Sequence, residues 1–588
     1  MHARIPPALG TALLAAALFL PGLGSVGLWD PWEPHYAQVS REMIARADWV
    51  HPHWREAWFF SKPVLILWTG AAGLAVAGDG PNAEWGLRLP VALLAVLGVA
   101  FATAAVARLA SRRAAWLAGT ALATAPFMAL LARQAIPDMP LAALSTAGGL
   151  AFAVALLDDR ASDGWAHAGW VLLGLATLAK GVLGFALPGA ALLAWLVVTG
   201  AWGRAGRLGF LTWIGRLRLP LGPLAFLAIA VPWYAVMAAF PGRDDSGWTF
   251  LQRFWLHDHL RRFAAGVHAP VAGSGWISYL GWIAVGTFPW VAALPGALGE
   301  ALRTRGRIGS ARQGLLQLCS LWALLGYLLL AFARTSYPHY LLPVVPPLLV
   351  LAALFLDRVL DEGLLAHRVA AAIGGAAFAA SGWAVAGKPR LLTALFTYDP
   401  RRAWPGAELD ALHPEFLVGP FPVSLRPGAV LLALLLAGAM GLSISALRRS
   451  ARGAVGSLVG VAVVLAAWLS WFHQPELAPH WTQRELFAAL RAEGPGPAEP
   501  VVAWLMNWRG ETFYGGGRVR EVVDPARMRE VAARPGRLWV VTEPARIPAL
   551  RSAVGPGKAF RVAGPETGRY RLLELTDAPP LEPGGPHD

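Results

Sequence analysis

The side chains that could do chemistry in this chain are few, and they sit at the edges of long apolar runs. Asp30 and Glu33 stand three residues apart in Trp29-Asp30-Pro31-Trp32-Glu33-Pro34-His35-Tyr36, just before a helix-like stretch from Ala37 to Met43. Held by two prolines at the mouth of a hydrophobic bundle, such a pair could act as a general base over a membrane-embedded substrate. The same acids also fit a capping role at a helix start. Lys62, in Ser61-Lys62-Pro63, and Lys180, in a tight turn at Leu178-Ala179-Lys180-Gly181, are each placed to hold a phosphate as a point charge. Each could equally snorkel its amine to the interface. Asp138 lies in a turn of about eight residues, too short to project far from the membrane surface, and is therefore expected to face the same cavity as Asp30. Capping the helix that begins at Pro140 is compatible with that role. The segment from Arg334 to Tyr340 adds Arg334, His339 and two phenols, Tyr337 and Tyr340. His257, Asp258 and His259 form a metal-ligand pattern, but two histidines two apart diverge on a helix.

Composition defines what must position these groups. Of 588 residues, 56% are apolar and 15% charged, and the mean hydropathy is +0.49. Soluble domains carry about 25% charged residues, so an ordinary water-soluble enzyme is excluded. The apolar residues come in blocks of about 17 to 23, each able to cross roughly 30 Å of hydrocarbon as a helix. The net charge of +14 comes from arginines in short clusters between these blocks, the topology signal of an inner membrane, and no nucleic-acid partner is implied. The single cysteine, Cys319, lies inside an apolar block, which excludes a disulfide framework and thiolate metal sites. The N-terminal apolar run after Arg4 reads as a retained first span.

With the N-terminus cytoplasmic, every strong cluster (Arg108/112/113, Arg204 to Arg218, Arg303 to Arg312, Arg448/449/452) falls inside only if the block Pro63 to Gly78 lies at the outer interface without crossing. The spans are then expected at 7–27, 89–107, 114–131, 140–157, 166–179, 183–200, 219–240, 276–298, 314–333, 340–356, 368–386, 427–447 and 453–472, about 13 in all, with the C-terminus outside. Residues 29–87, 132–139, 241–275 and 334–339 become the outer catalytic loops, with 387–426 a fifth outer loop. After Phe472 the charge density rises. Strand-like runs at Val501–Met506 and Leu538–Thr542 and a helix-like stretch at Asp524–Ala533 predict a small α/β domain over 474–588, with a disordered Pro/Gly-rich tail from Pro579. The fold class is thus an all-α polytopic membrane bundle over 1–473, with interfacial helices on the outer face and a small C-terminal α/β soluble domain. No span carries a charged residue in its apolar middle, which argues against an ion-coupled transporter.

The runs WDPWEPHYAQVSREMIARADWVHPHW, FFSKPVLILW, RQAIPDMPL, LAKGVLGFALPG, FLQRFWLHDHLRRF and RTSYPHYLLPVVPPLL occur in this order. Over about residues 10–360 the chain resembles the polyprenyl-phosphate-dependent glycosyltransferases of the GT-C fold, a group that includes the bacterial lipid A aminoarabinose transferase and the protein O-mannosyltransferases. The resemblance implies a bundle of about 13 spans, interfacial helices after the first span and a catalytic cavity on the periplasmic face. It implies sugar transfer, with inversion, from a polyprenyl phosphate to a hydroxyl of lipid A, a protein or an envelope glycan. Asp30 or Glu33 would be the base and Asp138 a catalytic or orienting acid. Lys62, Lys180, Arg334 and His339 would bind the donor phosphate. His35, Tyr36, His257, His259 and Tyr340 would contact substrate. No cofactor is required, although a divalent metal is compatible. The family's Asp-Glu before Arg-Tyr-Ala corresponds here to Trp32-Glu33 before His35-Tyr36-Ala37, and its Glu-Lys-Pro to Ser61-Lys62-Pro63, so both motifs have lost an acid. Asp138 and Lys180 fall on the family's motif positions unchanged. The alternative from another class is a transporter or flippase of lipid-linked sugars.

Overall fold

The computed structural model describes residues 5–200, 206–261, 276–304, 308–333, 337–388, 391–392, 395, 427–506, 508–567 and 569–578. Arg334, the end of the 241–275 loop, most of 387–426 and the C-terminal tail lie outside the described residues. The chain divides into two compact units. One comprises 1–24, 39–396 and 421–474, and the other 25–38, 397–420 and 475–588.

The first unit is helical and reads as a multi-pass membrane bundle. Among the described residues, eight helices are long and apolar enough to cross a membrane, or nine if one bent pair counts as a single span. Every range expected to span holds a helix or a broken helix, the first of them short: Pro7–Phe19 has 13 residues, as does Leu65–Ala77, whose block is not expected to cross. At 1.5 Å per residue such a helix covers about 20 Å, less than the hydrocarbon thickness. That length suits the block from Pro63 to Gly78, which the charge pattern keeps from crossing.

The range 276–298, expected as a span, is broken: Trp276–Gly286 and Trp290–Arg303 meet at a 112° bend. The break falls at Thr287-Phe288-Pro289, where proline supplies no N–H to continue the helix.

Charged residues gather at helix ends, where they tie neighbouring helices together. Arg113 pairs with Asp357 at 2.6 Å, Arg108 with Asp158 at 2.7 Å and Arg312 with Glu300 at 2.8 Å. Arg133 is buried and donates to the carbonyls of Phe19 (2.9 Å) and Pro21 (2.7 Å), capping the end of the Pro7–Phe19 helix, and to Gln474 Oε1 (2.8 Å). A cation there meets the negative end of the helix dipole.

Between the Trp32–Arg46 and Leu65–Ala77 helices a two-stranded hairpin forms from β1 (His53–Trp54) and β2 (Ala57–Trp58). Its aromatic residues begin a chain of ring contacts: His53 on Trp58 at 4.0 Å, Trp58 on Phe240 at 4.8 Å, and Phe250 on Phe254 at 5.2 Å.

The second unit contains a five-stranded mixed sheet in the order β4-β3-β5-β7-β6. β3 (Val501–Trp504) runs parallel to β4 (Val519–Val522) and β5 (Leu538–Thr542), while β7 (Arg571–Asp577) is antiparallel to β5 and to β6 (Lys558–Ala563). Both expected strands are present, and the helix at Pro525–Ala532 is capped by Asp524, whose Oδ1 accepts from the Ala526 N–H. β3 and β5 are buried along their whole length, so they read as continuous apolar runs and not as alternation. Val502, Trp504, Met528, Val540, Leu550 and Leu573 form the core on the helix-covered face. From β3 the chain goes to β4 on one side, and from β5 it goes to β6 and β7 on the other. The carboxyl ends of β3 and β5 therefore flank a topological switch point, the usual crevice of an open α/β sheet.

Candidate functional site

In the first unit, two antiparallel helices, Asp138–Leu157 and Gly164–Lys180, bring the first residue of one and the last residue of the other to the same end. Lys180 Nζ forms an ion pair and hydrogen bond with Asp138 Oδ1. The arrangement follows from helix electrostatics, because an acid is favoured at a helix start and a cation at a helix end. The turn Pro338–Val344 adds His339 and Tyr340. Lys180 Nζ lies over the Tyr340 ring at 4.6 Å, and the His339 and Tyr340 rings are 5.0 Å apart. The charge of Lys62 also acts on the Asp138 carboxylate. Lys62 itself donates to the Ser61 carbonyl at 3.1 Å. Two lysines thus act on one carboxylate at this end of the bundle, and an ammonium can hold a phosphate as a point charge.

His259 joins this group through Gly181. Its Nδ1 is 2.7 Å from the Phe254 carbonyl, and its Nε2 would lie 2.8 Å from a Cβ placed on Gly181. His257 is directed elsewhere, toward Asp258 at 3.0 Å and the Trp248 ring at 4.8 Å. The two histidines thus diverge as their spacing predicts. Among the described residues no three His, Cys, Asp or Glu side chains gather as a metal site.

In the second unit, Asp30 is buried and its carboxyl accepts three hydrogen bonds: from the Gly510 N–H (2.7 Å), Gln483 Nε2 (2.9 Å) and the Tyr570 O–H (2.9 Å). Gln483 Nε2 also donates to Glu511 Oε2 at 2.7 Å. Burial and the nearby Glu511 carboxylate push the Asp30 carboxyl well above its ordinary range, against the pull of its donors, and burial likewise raises Glu511. Burial and the Asp30 carboxyl raise the Tyr570 phenol, so it stays protonated and donating. Glu33 Oε2 accepts the Trp29 N–H at 2.8 Å, a capping contact at the start of the Trp32–Arg46 helix. His35 and Tyr36 stack at 5.9 Å and Tyr36 on Trp32 at 6.4 Å.

Of the residues singled out in the sequence, Lys62, Asp138, Lys180, His259, His339 and Tyr340 belong together in the first unit. Asp30, Glu33, His35 and Tyr36 belong to the second, and Arg334 lies outside the described residues. Sequence reasoning missed Gln483, Gly510, Glu511 and Tyr570 as partners of Asp30.

A helical membrane bundle with an ion-paired cluster at one end and a small mixed-sheet domain is a GT-C type fold, and the chain resembles the polyprenyl-phosphate-dependent glycosyltransferases of that fold. The crystal structure of ArnT from Cupriavidus metallidurans bound to undecaprenyl phosphate superposes with a TM-score of 0.70 at 22% identity, covering 96% of this chain and 97% of that one. Residues 61–217 match the family described as dolichyl-phosphate-mannose-protein mannosyltransferase. The undecaprenyl phosphate-alpha-4-amino-4-deoxy-L-arabinose arabinosyl transferase of Edwardsiella ictaluri is 31% identical over 364 residues, 61% of each chain. The undecaprenyl phosphate-alpha-4-amino-4-deoxy-L-arabinose arabinosyl transferase 2 of Pseudomonas fluorescens is 32% identical over 372 residues, again 61% of each. The chain thus spans about three fifths of the length of the curated relatives it matches.

Proposed function

We propose that this protein is an inner-membrane glycosyltransferase that moves a sugar of the 4-amino-4-deoxyarabinose class from undecaprenyl phosphate to a hydroxyl of lipid A or another envelope acceptor. The N-terminus is cytoplasmic, and residues 474–588 lie on the periplasmic side. The observation that carries the reading is the cluster of Lys62, Asp138, Lys180, His339 and Tyr340, drawn from four chain segments to one helix end. The relatives' names, which specify this sugar and this lipid carrier, support the donor class.

The acceptor hydroxyl attacks the anomeric carbon, and its new C–O bond forms as the bond from that carbon to the phosphate oxygen breaks. A single displacement inverts the anomeric centre. The bonding pair leaves with undecaprenyl phosphate, whose growing negative charge Lys180 and Lys62 stabilise in a partly water-excluded setting. Asp138 holds the Lys180 ammonium in place. The acceptor's proton passes to a first-loop carboxylate. Glu33 takes this role, while Asp30 holds the loop through its three donors. No metal is needed where lysines carry the phosphate charge. Nothing observed favours the transporter alternative.

The test is transfer in nanodiscs from undecaprenyl-phosphate-linked aminoarabinose to lipid A, with Glu33→Gln as the diagnostic variant. The substitution keeps an acceptor for the Trp29 N–H but removes the base, so turnover falls about 10²–10⁴-fold while the fold persists. No product from the wild-type protein with any lipid-linked pentose would reject the reading, and full turnover by Glu33→Gln would reject the base.

A further inference from the structure

In an open α/β sheet the crevice at the switch point is where a ligand is expected. In the second unit that place is filled by the protein itself. The loop leaving β3 closes against the end of β5 through Trp508 Nε1 on Glu543 Oε1 (2.9 Å) and Thr542 Oγ1 on the Trp504 carbonyl (3.0 Å). At its end, the Gly510 N–H points at the Asp30 carboxyl. Tyr570, immediately before β7, and Gln483, beside the Arg484–Ala492 helix, complete the grip from two further elements.

The capture extends along the loop. The Asp30 N–H donates to the Trp481 carbonyl (2.8 Å), the Trp29 ring stacks on Trp481, the Leu28 N–H donates to the Tyr514 hydroxyl (2.6 Å), and Arg484 donates to the Ser25 carbonyl (2.7 Å). Main-chain groups and a carboxyl are held as a bound peptide would be. Burying three aligned donors around one carboxyl pays off only if that carboxyl is present, because each donor left unpaired costs about 1–3 kcal/mol.

We propose that the C-terminal α/β domain is a positioning element for the transfer reaction, its switch-point crevice gripping Asp30 so that the first outer loop presents Glu33, His35 and Tyr36 in one fixed geometry. The inference rests on the glycosyltransferase reading above. Asp30, Gln483 and Tyr570 are positioning residues in it. Glu33 is fixed in turn, since its Oε2 accepts from Trp29, the residue clamped between Leu28 and Asp30.

The experiment uses the full-length protein in nanodiscs, with Tyr570→Phe, Asp30→Asn and Asp30→Ala. Hydrogen exchange is followed over residues 25–38 and over β5, together with turnover and donor KM for undecaprenyl-phosphate-linked aminoarabinose. The expected result is exchange over 25–38 at least tenfold faster in Tyr570→Phe and Asp30→Ala, with β5 unchanged. kcat falls at least tenfold while donor KM holds, and Asp30→Asn, which keeps an acceptor for the Gly510 N–H, recovers part of both losses. Unchanged exchange over 25–38 would overturn the capture. Faster exchange with full kcat would overturn the positioning role. A wild-type protein inactive on this donor would count against the glycosyltransferase reading, whereas the exchange arm would still report whether Asp30 is gripped.

Discussion

Lys180 and Asp138, 42 positions apart, are ion-paired where two antiparallel helices end and begin. Their side chains are 19% and 6% exposed. Breaking such a pair from one side leaves a buried charge unmatched, at a cost of about 3–5 kcal/mol, while replacing both partners by neutral groups is far less costly. Lys180→Met and Asp138→Asn should therefore each lower the melting temperature clearly, and the double variant should recover much of the loss. Turnover should not recover with it, because the cation that faces the leaving phosphate is gone, a loss of about 10²–10³ in kcat. A melting series alongside the transfer assay separates the two. Full activity in Lys180→Met would remove this lysine from the chemistry.

Lys62 differs from Lys180 in what holds it. Its ammonium bonds the neighbouring Ser61 carbonyl and acts on Asp138 through its charge. Lys62→Ala should thus leave melting within about 0.5 kcal/mol of wild type, as for most surface changes. A charge-assisted hydrogen bond to the donor phosphate is worth about 1.5–3 kcal/mol, so the donor KM should rise roughly 10- to 100-fold. Lys62→Arg should recover part of it. Donor titration by tryptophan quenching would show the shift, and an unmoved KM would assign Lys62 to snorkelling.

How much of this was legible in the sequence depends on chain distance. Short turns bounded by apolar blocks force residues such as Asp138 and Lys180 to one end of the bundle, so a charge pattern alone pairs them. The two strands, the capped helix after Asp524 and the short Leu65–Ala77 helix were legible for the same local reasons. Asp30 was legible as an unusual acid, but its role was not. Its partners Gln483 and Tyr570 lie 453 and 540 positions away, and no periodicity or spacing encodes a contact at that range. The bend at Pro289 was hidden differently: its apolar run is continuous, and hydropathy does not register the missing N–H of a single proline.

Gly181 follows Lys180 with φ 90° and ψ −159°, a conformation open to glycine and strained for any residue with a Cβ. A Cβ there would also stand 2.8 Å from His259 Nε2 and 3.3 Å from Phe254. Gly181→Ala should cost about 1–3 kcal/mol and displace both His259 and the Lys180 turn, so turnover should drop with stability. Gly189→Ala is the control: it lies within a helix, and its Cβ would meet nothing within 4 Å. That change should be neutral or stabilising by about 0.5–1 kcal/mol. Equal effects from the two substitutions would mean that the Gly181 turn has no special demand.

Asp30 and Glu511 set the pH dependence of the second unit. Both carboxyls are raised above their ordinary values, by burial and, for Asp30, by Glu511. An acid with a raised folded pKa contributes stability that is complete below its unfolded value, about 4, and is lost as pH climbs through the folded value. The grip on the first loop should therefore loosen on the alkaline side and tighten on the acid side, the reverse of a salt-bridged carboxylate. Tyr570 and Gln483 face Asp30 as donors, Arg569 lies next to Tyr570, and Arg509 and Glu521 flank Glu511. Of these, Tyr570 is itself shifted upward and stays protonated through the window. Glu511→Gln keeps an oxygen for the Gln483 amide but cannot ionise. It should flatten the alkaline loss, because Asp30 then ionises without a like charge beside it. Hydrogen exchange of residues 25–38 from pH 5 to 9, corrected for the intrinsic rate, reads this directly. A wild-type profile as flat as that of Glu511→Gln would show that the Glu511 charge does not govern the grip on Asp30.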